Sequence, residues 1–264
     1  MQSERKLFFP VRDIVDEFIH YQKSLQKLDV ISIVGEGEPT LYSGLGELID
    51  KIKEISDVPV AVITNSSLLA DSAVQNALLN ADIVLPSMDA YDEKTFRKIN
   101  RPHFSVKYED TQKGLIEFSH KYKGQLWLEI MLLAGMNDDD ASLSKFAAIL
   151  PKIKYDRVYI NTPVRPPAES FAEPPSKEQI QKAVEKLSAI SIDMLSTGNF
   201  FSDVSDHYEA IKNICQRHPM NSFELETFLS SRNVADIETY KKRLEEDPEI
   251  NCIKYKGITS YRLK

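Results

Sequence analysis

Short runs of apolar, often β-branched residues alternate along most of the chain with longer stretches whose apolar positions recur every three or four residues. The runs Val30–Val34, Val60–Thr64, Ile83–Pro86, Leu126–Leu133 and Val158–Ile160 read as short strands buried on both faces. Between them the spacing predicts helices over Val11–Leu28, Gly44–Ile55, Ser72–Leu79, Lys107–Tyr122 and Asp140–Ile153. Pro10 suits a first helical turn, and Ser43 and Asp71 are expected N-caps. Ser176 followed by Gln179 reads as a capping box opening a helix to about Ile190, with a short strand Ser191–Leu195 after it. Strand–helix repetition at this spacing predicts an α/β fold with a parallel sheet, open or closed into a barrel. In either form the loops after the strands share one edge, where such folds bind ligands. The first strong element is a helix, an unusual start for a parallel barrel.

From about Asp206 the rhythm changes. Helices are expected over Asp206–Gln216, Ser222–Leu229 and Val234–Glu246, then a hairpin of Ile250–Tyr255 and Ile258–Leu263 turning at Gly257. Three short helices and a hairpin predict a winged-helix-like module at 201–264, behind a larger body at 1–200. Thr162–Pro175 holds five of the 13 prolines and reads as an extended, rigid loop.

Composition narrows the function classes. At 264 residues, 42% hydrophobic and 28% charged, the chain is of ordinary globular type, neither disordered nor a small disulfide scaffold. No apolar run approaches the ~20 residues of a membrane span, and Met1–Pro10 lacks the apolar core of a signal peptide, so no membrane role and a cytoplasmic location are expected. The net charge of −7 argues against general polyanion binding. Ten acids balance ten bases between Asp206 and Lys264, so the terminal module is read as an interaction or substrate-presenting unit rather than a DNA reader. The only cysteines, Cys215 and Cys252, suit a reducing compartment and are too few for a cysteine-ligated cluster. The five histidines show no metal-ligand spacing. Trp127 and Tyr159 read as core, and Asp138–Asp140 as a solvated helix start.

The chemistry gathers at the expected strand ends. Gly35-Glu36-Gly37-Glu38-Pro39 offers a tight turn and an acid suited to an ammonium group. Thr64-Asn65-Ser66-Ser67 offers small hydrogen-bonding residues, Ser87 and Asp89 a hydroxyl and a carboxylate, and Asn161–Val164 closes the fifth strand. Glu129 is a carboxylate inside an apolar strand, which demands a partner or a water-lined cavity. Each also has a bland reading as turn chemistry. Together they suit an adenosyl ligand with an amino-acid tail.

Over about Phe8–Leu195 the chain resembles the radical S-adenosylmethionine (SAM) superfamily, in the Fe–S oxidoreductase group related to archaeal wybutosine-synthesis enzymes. The resemblance rests on GEGEPTLYSGLGELI (Gly35–Ile49), ITNSSLL (Ile63–Leu69), LPSMDAYDEKTFRKINRPH (Leu85–His103), LEIMLLAGMND (Leu128–Asp138) and VYINTPVRPPAE (Val158–Glu169). It implies a partial (β/α)6 TIM-like barrel. It also implies that Gly35, Gly37, Glu38 and Pro39 match the GGEP-like motif that holds the amino group of SAM. Asn65, Ser87 and Asp89 match positions near its ribose and carboxylate, and Glu129, Asn161 and Val164 match later strands lining ligand and adenine. Arg165 and Asn100-Arg101-Pro102 look characteristic of the subgroup, as substrate-side or structural residues.

Two departures stand out. Ser66 occupies a position that is usually glycine in the family, and the defining CxxxCxxC motif is absent. That motif follows the family's first strand, so the resemblance implies a barrel missing that strand, which would precede Met1. Three thiolates normally hold three irons of a 4Fe-4S cluster, leaving the fourth for SAM. Three readings result. One is a radical SAM protein acting on an unknown substrate through a 5′-deoxyadenosyl radical, inactive in this N-truncated form. Another is a clusterless SAM- or nucleotide-binding or regulatory protein. The last is protein or RNA contact through the terminal module.

Overall fold

Six strands pair in parallel in the order in which the chain makes them, β1-β2-β3-β4-β5-β6. They are β1 (Ile31–Ile33), β2 (Val60–Thr64), β3 (Ile83–Pro86), β4 (Gln125–Met131), β5 (Arg157–Asn161) and β6 (Ile190–Ser191). The computed structural model describes residues 4–22, 28–35, 37–163, 169, 171–192, 200, 202, 204–255 and 258–264. The helices are α1 (Val11–Gln22), α2 (Leu45–Ile55), α3 (Ser72–Leu78), α4 (Glu93–Ile99), α5 (Tyr108–Lys121), α6 (Asp140–Ile149) and α7 (Lys177–Leu187). Among the described residues β1 pairs only with β2 and forms one edge of the sheet.

Strictly sequential order has a consequence. Right-handed crossovers between successive neighbours put every connecting helix on the same side, so one sheet face is packed and the other stays open. Burial along the strands follows that division. In β4, Leu126, Leu128 and Ile130 are buried while Trp127, Glu129 and Met131 are half-buried. In β5, Val158 and Ile160 are buried and Tyr159 and Asn161 are not. The packed side forms a continuous core of Leu45, Ile49, Val62, Leu78, Leu115, Phe118, Leu128, Phe146 and their neighbours. Trp127 and Tyr159 are therefore not core residues. They lie on the open face, where the Arg157 guanidinium stacks 4.6 Å from the Trp127 ring and donates to the Tyr159 hydroxyl at 3.1 Å.

Other expectations shift locally. Gly44, not Ser43, precedes α2 at the cap, whereas the Asp71 carboxylate does cap α3 through the Ala73 N–H. Ser176 caps α7, but Gln179 completes no capping box; its side chain donates instead to the Asp138 carbonyl at 3.2 Å. Helix α4 was not expected. Asp92 caps it through the Thr95 N–H. Asp138 is buried and accepts from the Gly135 N–H, while Asp139 caps α6 and Asp140 pairs with Lys186. The strand expected at Ser191–Leu195 is seen at Ile190–Ser191, and 193–195 lie outside the described residues.

The chain divides into two compact units, Met1–Thr162 with Glu173–Ile192, and Pro163–Ala172 with Asp193–Lys264. The second contains α8 (His207–Arg217), β7 (Met220–Asn221), α9 (Ser222–Ser231), α10 (Ile237–Glu246), β8 (Ile250–Tyr255) and β9 (Ile258–Leu263). Its strands form an antiparallel sheet of order β7-β9-β8 over its own core of Ile211, Leu225, Phe228, Leu244 and Tyr261. Gly257, the expected turn, lies outside the described residues. Among the described residues no helix is long and apolar enough to cross a membrane.

Candidate functional site

Glu38 ties two motifs together. Pro39 starts a single 3-10 turn, Pro39–Leu41, and Glu38 caps it. Oε1 of Glu38 accepts from the Thr40 N–H at 3.0 Å, the Thr40 hydroxyl at 2.6 Å and the Thr64 hydroxyl at 2.6 Å. Oε2 accepts from the Asn65 N–H at 2.7 Å. The turn after β1 is thereby fastened to the C-terminal end of β2 by one carboxylate. Among the described residues Oε2 carries a single donor, which leaves a lone pair for a ligand ammonium group. Apart from its chain neighbours, no described atom lies within 4 Å of where a Cβ on Gly37 would stand. The Thr40 and Thr64 hydroxyls, which orient the acid, were not singled out in the sequence.

The parallel register sets Asn65, Ser87 and Glu129 in one row across the open face. Thr64 pairs with Pro86, which places Asn65 beside Ser87, and Ser87 bridges to Glu129. Glu129 in turn pairs with Tyr159, and Met131 with Asn161. Glu129 thus points to the open face, and its Oε1 accepts from the Asn161 amide at 3.3 Å. Val164 lies outside the described residues, as does Arg165.

Ser66 sits fully buried at φ 66°, in the left-handed region that glycine favours. Its hydroxyl donates to the Ser87 carbonyl at 2.7 Å, and its N–H is accepted by the Thr64 hydroxyl at 3.2 Å. These bonds offset part of the backbone cost and lock the β2 loop to the end of β3.

Asp89 is held from two sides. Oδ1 accepts from the Met131 N–H and Oδ2 from the Asn100 amide, each at 2.9 Å. Burial pushes its carboxyl up to about 6; the Met131 N–H opposes this and the Glu129 charge adds to it. Asn137, fully buried, clamps the same corner by donating to the Asp89 and Met131 carbonyls while accepting from the Leu133 N–H. Asp89 is thus held in place beside the row. Beyond it, a cavity of about 410 Å³ lies between Gly37, Glu38 and Asn65 on one wall and Arg101, Pro102 and His103 on the other.

The donors present do not fit a 4Fe-4S cluster. Such clusters take cysteine thiolates, and residues 1–192 contain no cysteine. Cys215 is buried in the core of the second unit, where burial pushes its thiol up to about 11, and burial raises Cys252 as well. Neither is a thiolate near neutral pH. Among the described residues no three His, Cys, Asp or Glu side chains are grouped to hold a metal ion.

Comparison with known proteins places this geometry in context. The family described as the radical SAM superfamily matches residues 2–147. UPF0026 protein MJ1312 of Methanocaldococcus jannaschii is 33% identical over 267 residues, covering 98% of this chain and 82% of that protein. A UPF0026 protein of Helicobacter pylori is 34% identical over 217 residues, covering 80% of this chain and 69% of its own length. Among solved structures, a radical SAM methyltransferase from Sphaerobacter thermophilus superposes with TM-score 0.51 at 19% identity, over 69% of this chain and 55% of that one. That likeness concerns the fold.

Proposed function

The chain belongs to the radical SAM superfamily, and from that premise we propose that its strand-end site binds SAM. Glu38 Oε2 would take the ammonium of the amino-acid tail, with Gly35, Gly37 and Pro39 shaping the turn around it. Asn65 and Ser87 would meet the ribose and carboxylate side, and Glu129 and Asn161 would face the rest of the ligand from the open sheet face. One observation carries the reading: the Glu38 carboxylate joins the GEGEP turn to the Thr64–Asn65 strand end while keeping a lone pair for an ammonium group. A reduced 4Fe-4S cluster, where thiolates hold one, would supply the electron that splits SAM into methionine and a 5′-deoxyadenosyl radical. This chain's own residues supply none of the thiolates that hold the cluster, so this polypeptide alone binds SAM without cleaving it.

The second reading, a clusterless SAM-binding or regulatory protein, draws on the same thiols: both are buried or raised towards the protonated form. Both readings make one prediction for the isolated chain, namely SAM binding that owes nothing to iron. The experiment is calorimetric titration of the iron-free chain with SAM, with Glu38→Gln alongside. That change removes the charge and sets an amide N–H₂ against the Asn65 N–H, so affinity falls at least about tenfold.

The element order of the second unit, α8-β7-α9-α10-β8-β9, supports a winged-helix-like module, and its charges support protein contact rather than nucleic-acid binding. Every base on α10 is already engaged. Lys241 pairs with Glu226 and Glu238 at 2.7 Å, Lys242 with Glu246 at 3.9 Å, and Arg243 lies 3.6 Å from the Tyr208 ring centre. A phosphate backbone would have to break these contacts.

A further inference from the structure

Thr64 closes β2 and is only 2% exposed, so it is out of reach of a ligand in the strand-end site. Its hydroxyl makes two bonds with fixed roles. A carboxylate oxygen only accepts, so at 2.6 Å the Thr64 hydroxyl donates to Glu38 Oε1. The hydroxyl oxygen in turn accepts from the Ser66 N–H at 3.2 Å. One hydroxyl therefore faces the acid on one side and the loop after β2 on the other.

The other donors to Glu38 act differently. Thr40 stands two residues further along the same turn, and its N–H and hydroxyl fold the acid back onto that turn as a cap. The turn is fastened to the N-terminal segment, because the Thr40 carbonyl accepts from Arg5 Nε and the Lys6 backbone bonds to Leu41 and Ser43. None of these contacts fixes the acid relative to β2. The Asn65 N–H does reach Glu38 from the end of β2, at 2.7 Å, but on Oε2. A ligand ammonium group arriving at Oε2 shares that oxygen with the Asn65 N–H. Among the described residues Thr64 alone ties β2 to Oε1, so it holds the carboxylate's orientation while Oε2 is shared.

The loop after β2 does not depend on Thr64 to the same degree. The Ser66 hydroxyl donates to the Ser87 carbonyl at 2.7 Å, the Ser66 carbonyl accepts from the Leu69 N–H at 3.1 Å, and Asn65 Oδ1 accepts from the Ser67 N–H at 3.0 Å. Asn65 and Ser87 thus keep their places when the Thr64 hydroxyl is removed. Valine has nearly the shape of threonine and suits a strand, so Thr64→Val deletes the hydroxyl and little else.

We propose that Thr64 is a positioning residue for the amino-acid tail of SAM, acting through Glu38 without touching the ligand. The proposal rests on the SAM-site reading and goes beyond it by separating the two halves of the ligand: the Thr64 hydroxyl governs the grip on the ammonium end and leaves the adenosyl end alone.

The test is calorimetric titration of the iron-free full chain with SAM and with 5′-methylthioadenosine, which shares the adenosyl group and lacks the amino-acid tail. Thr64→Val should bind SAM about fivefold or more weakly than the parent, while its affinity for 5′-methylthioadenosine stays within about twofold. Thr64→Ser keeps the donor and should bring SAM affinity back to within about threefold of the parent. The ratio of the two affinities is a readout that general loosening of the fold does not move, since loosening weakens both ligands alike. Equal losses for both ligands, an unchanged SAM affinity in Thr64→Val, or no recovery in Thr64→Ser overturns the proposal. Where the parent binds 5′-methylthioadenosine too weakly to titrate, the loss in Thr64→Val and its recovery in Thr64→Ser decide. Should Thr64→Val fail to fold, Thr64→Cys takes its place with the same expectations, because a thiol is a far weaker donor. A parent chain that binds no SAM defeats the SAM-site reading and this proposal together, whereas a parent that binds SAM no better than Thr64→Val defeats the proposal alone.

Discussion

At Ser66 two opposing terms meet in one residue. A left-handed φ costs a non-glycine residue about 1 kcal/mol or more, and the hydroxyl bond to the Ser87 carbonyl returns a similar amount. Ser66→Gly removes both terms and should leave stability within about 1 kcal/mol of the parent. Ser66→Ala keeps the strained backbone and loses the bond, so it should cost about 1–2 kcal/mol in urea unfolding. Glycine outperforming alanine is the expected order, and the reverse would show that the loop relaxes. Asp89 makes a prediction in pH. Its carboxyl is raised to about 6 in the folded chain against about 3.8 unfolded. The folded state therefore holds the extra proton between those values, and stability falls as pH rises through that window, by at most about 3 kcal/mol. Asp89→Asn removes this dependence because an amide does not titrate, and a flip of the Asn100 amide lets its buried, unpartnered Oδ1 accept from the new NH₂. Urea midpoints at about pH 5 and pH 7.5 should converge in the variant compared with the parent. An unchanged pH difference would refute the assignment.

At the scale of elements, Gly114 shows why α5 can lie against the site loop. A Cβ there would fall 2.3 Å from the Ala70 nitrogen and 2.4 Å from the Leu69 carbonyl carbon, both backbone atoms. Helix propensity alone favours alanine over glycine by about 1 kcal/mol. The clash reverses that sign, because the loop carrying Asn65 and Ser66 must move; Gly114→Ala should destabilise by about 1–3 kcal/mol. Increased stability in denaturant titration would contradict this packing. The sequence pattern located most elements: β2 and β3 fall where their apolar runs lie, and Asp71 and Ser176 cap as expected. What it could not reach depends on register. An apolar run does not reveal which face the helices cover, so Trp127 and Tyr159 read as core until sequential strand order exposed them. Likewise, the bonds from Glu38 to Thr64 and Asn65 span 26 and 27 residues and exist only once β1 and β2 are paired.

For the whole molecule, the motifs of one superfamily line the open end of a parallel sheet, while the cysteine chemistry that accompanies them elsewhere is absent from these 264 residues. The turn glycines, Glu38 and the Ser66 and Ser87 hydroxyls were legible as clusters of polar residues because short turns keep them contiguous in the sequence. The Arg101 wall was not, because its relation to Glu38 arises from a loop braced by Asp89 and Arg97. The most direct measurement of the account is the SAM isotherm of the full chain, recorded iron-free and again after anaerobic treatment with iron and sulfide. One site of about millimolar affinity or tighter, with the same isotherm in both states, is the predicted result. No heat from the folded chain, or an affinity that rises about tenfold after iron and sulfide, would contradict it.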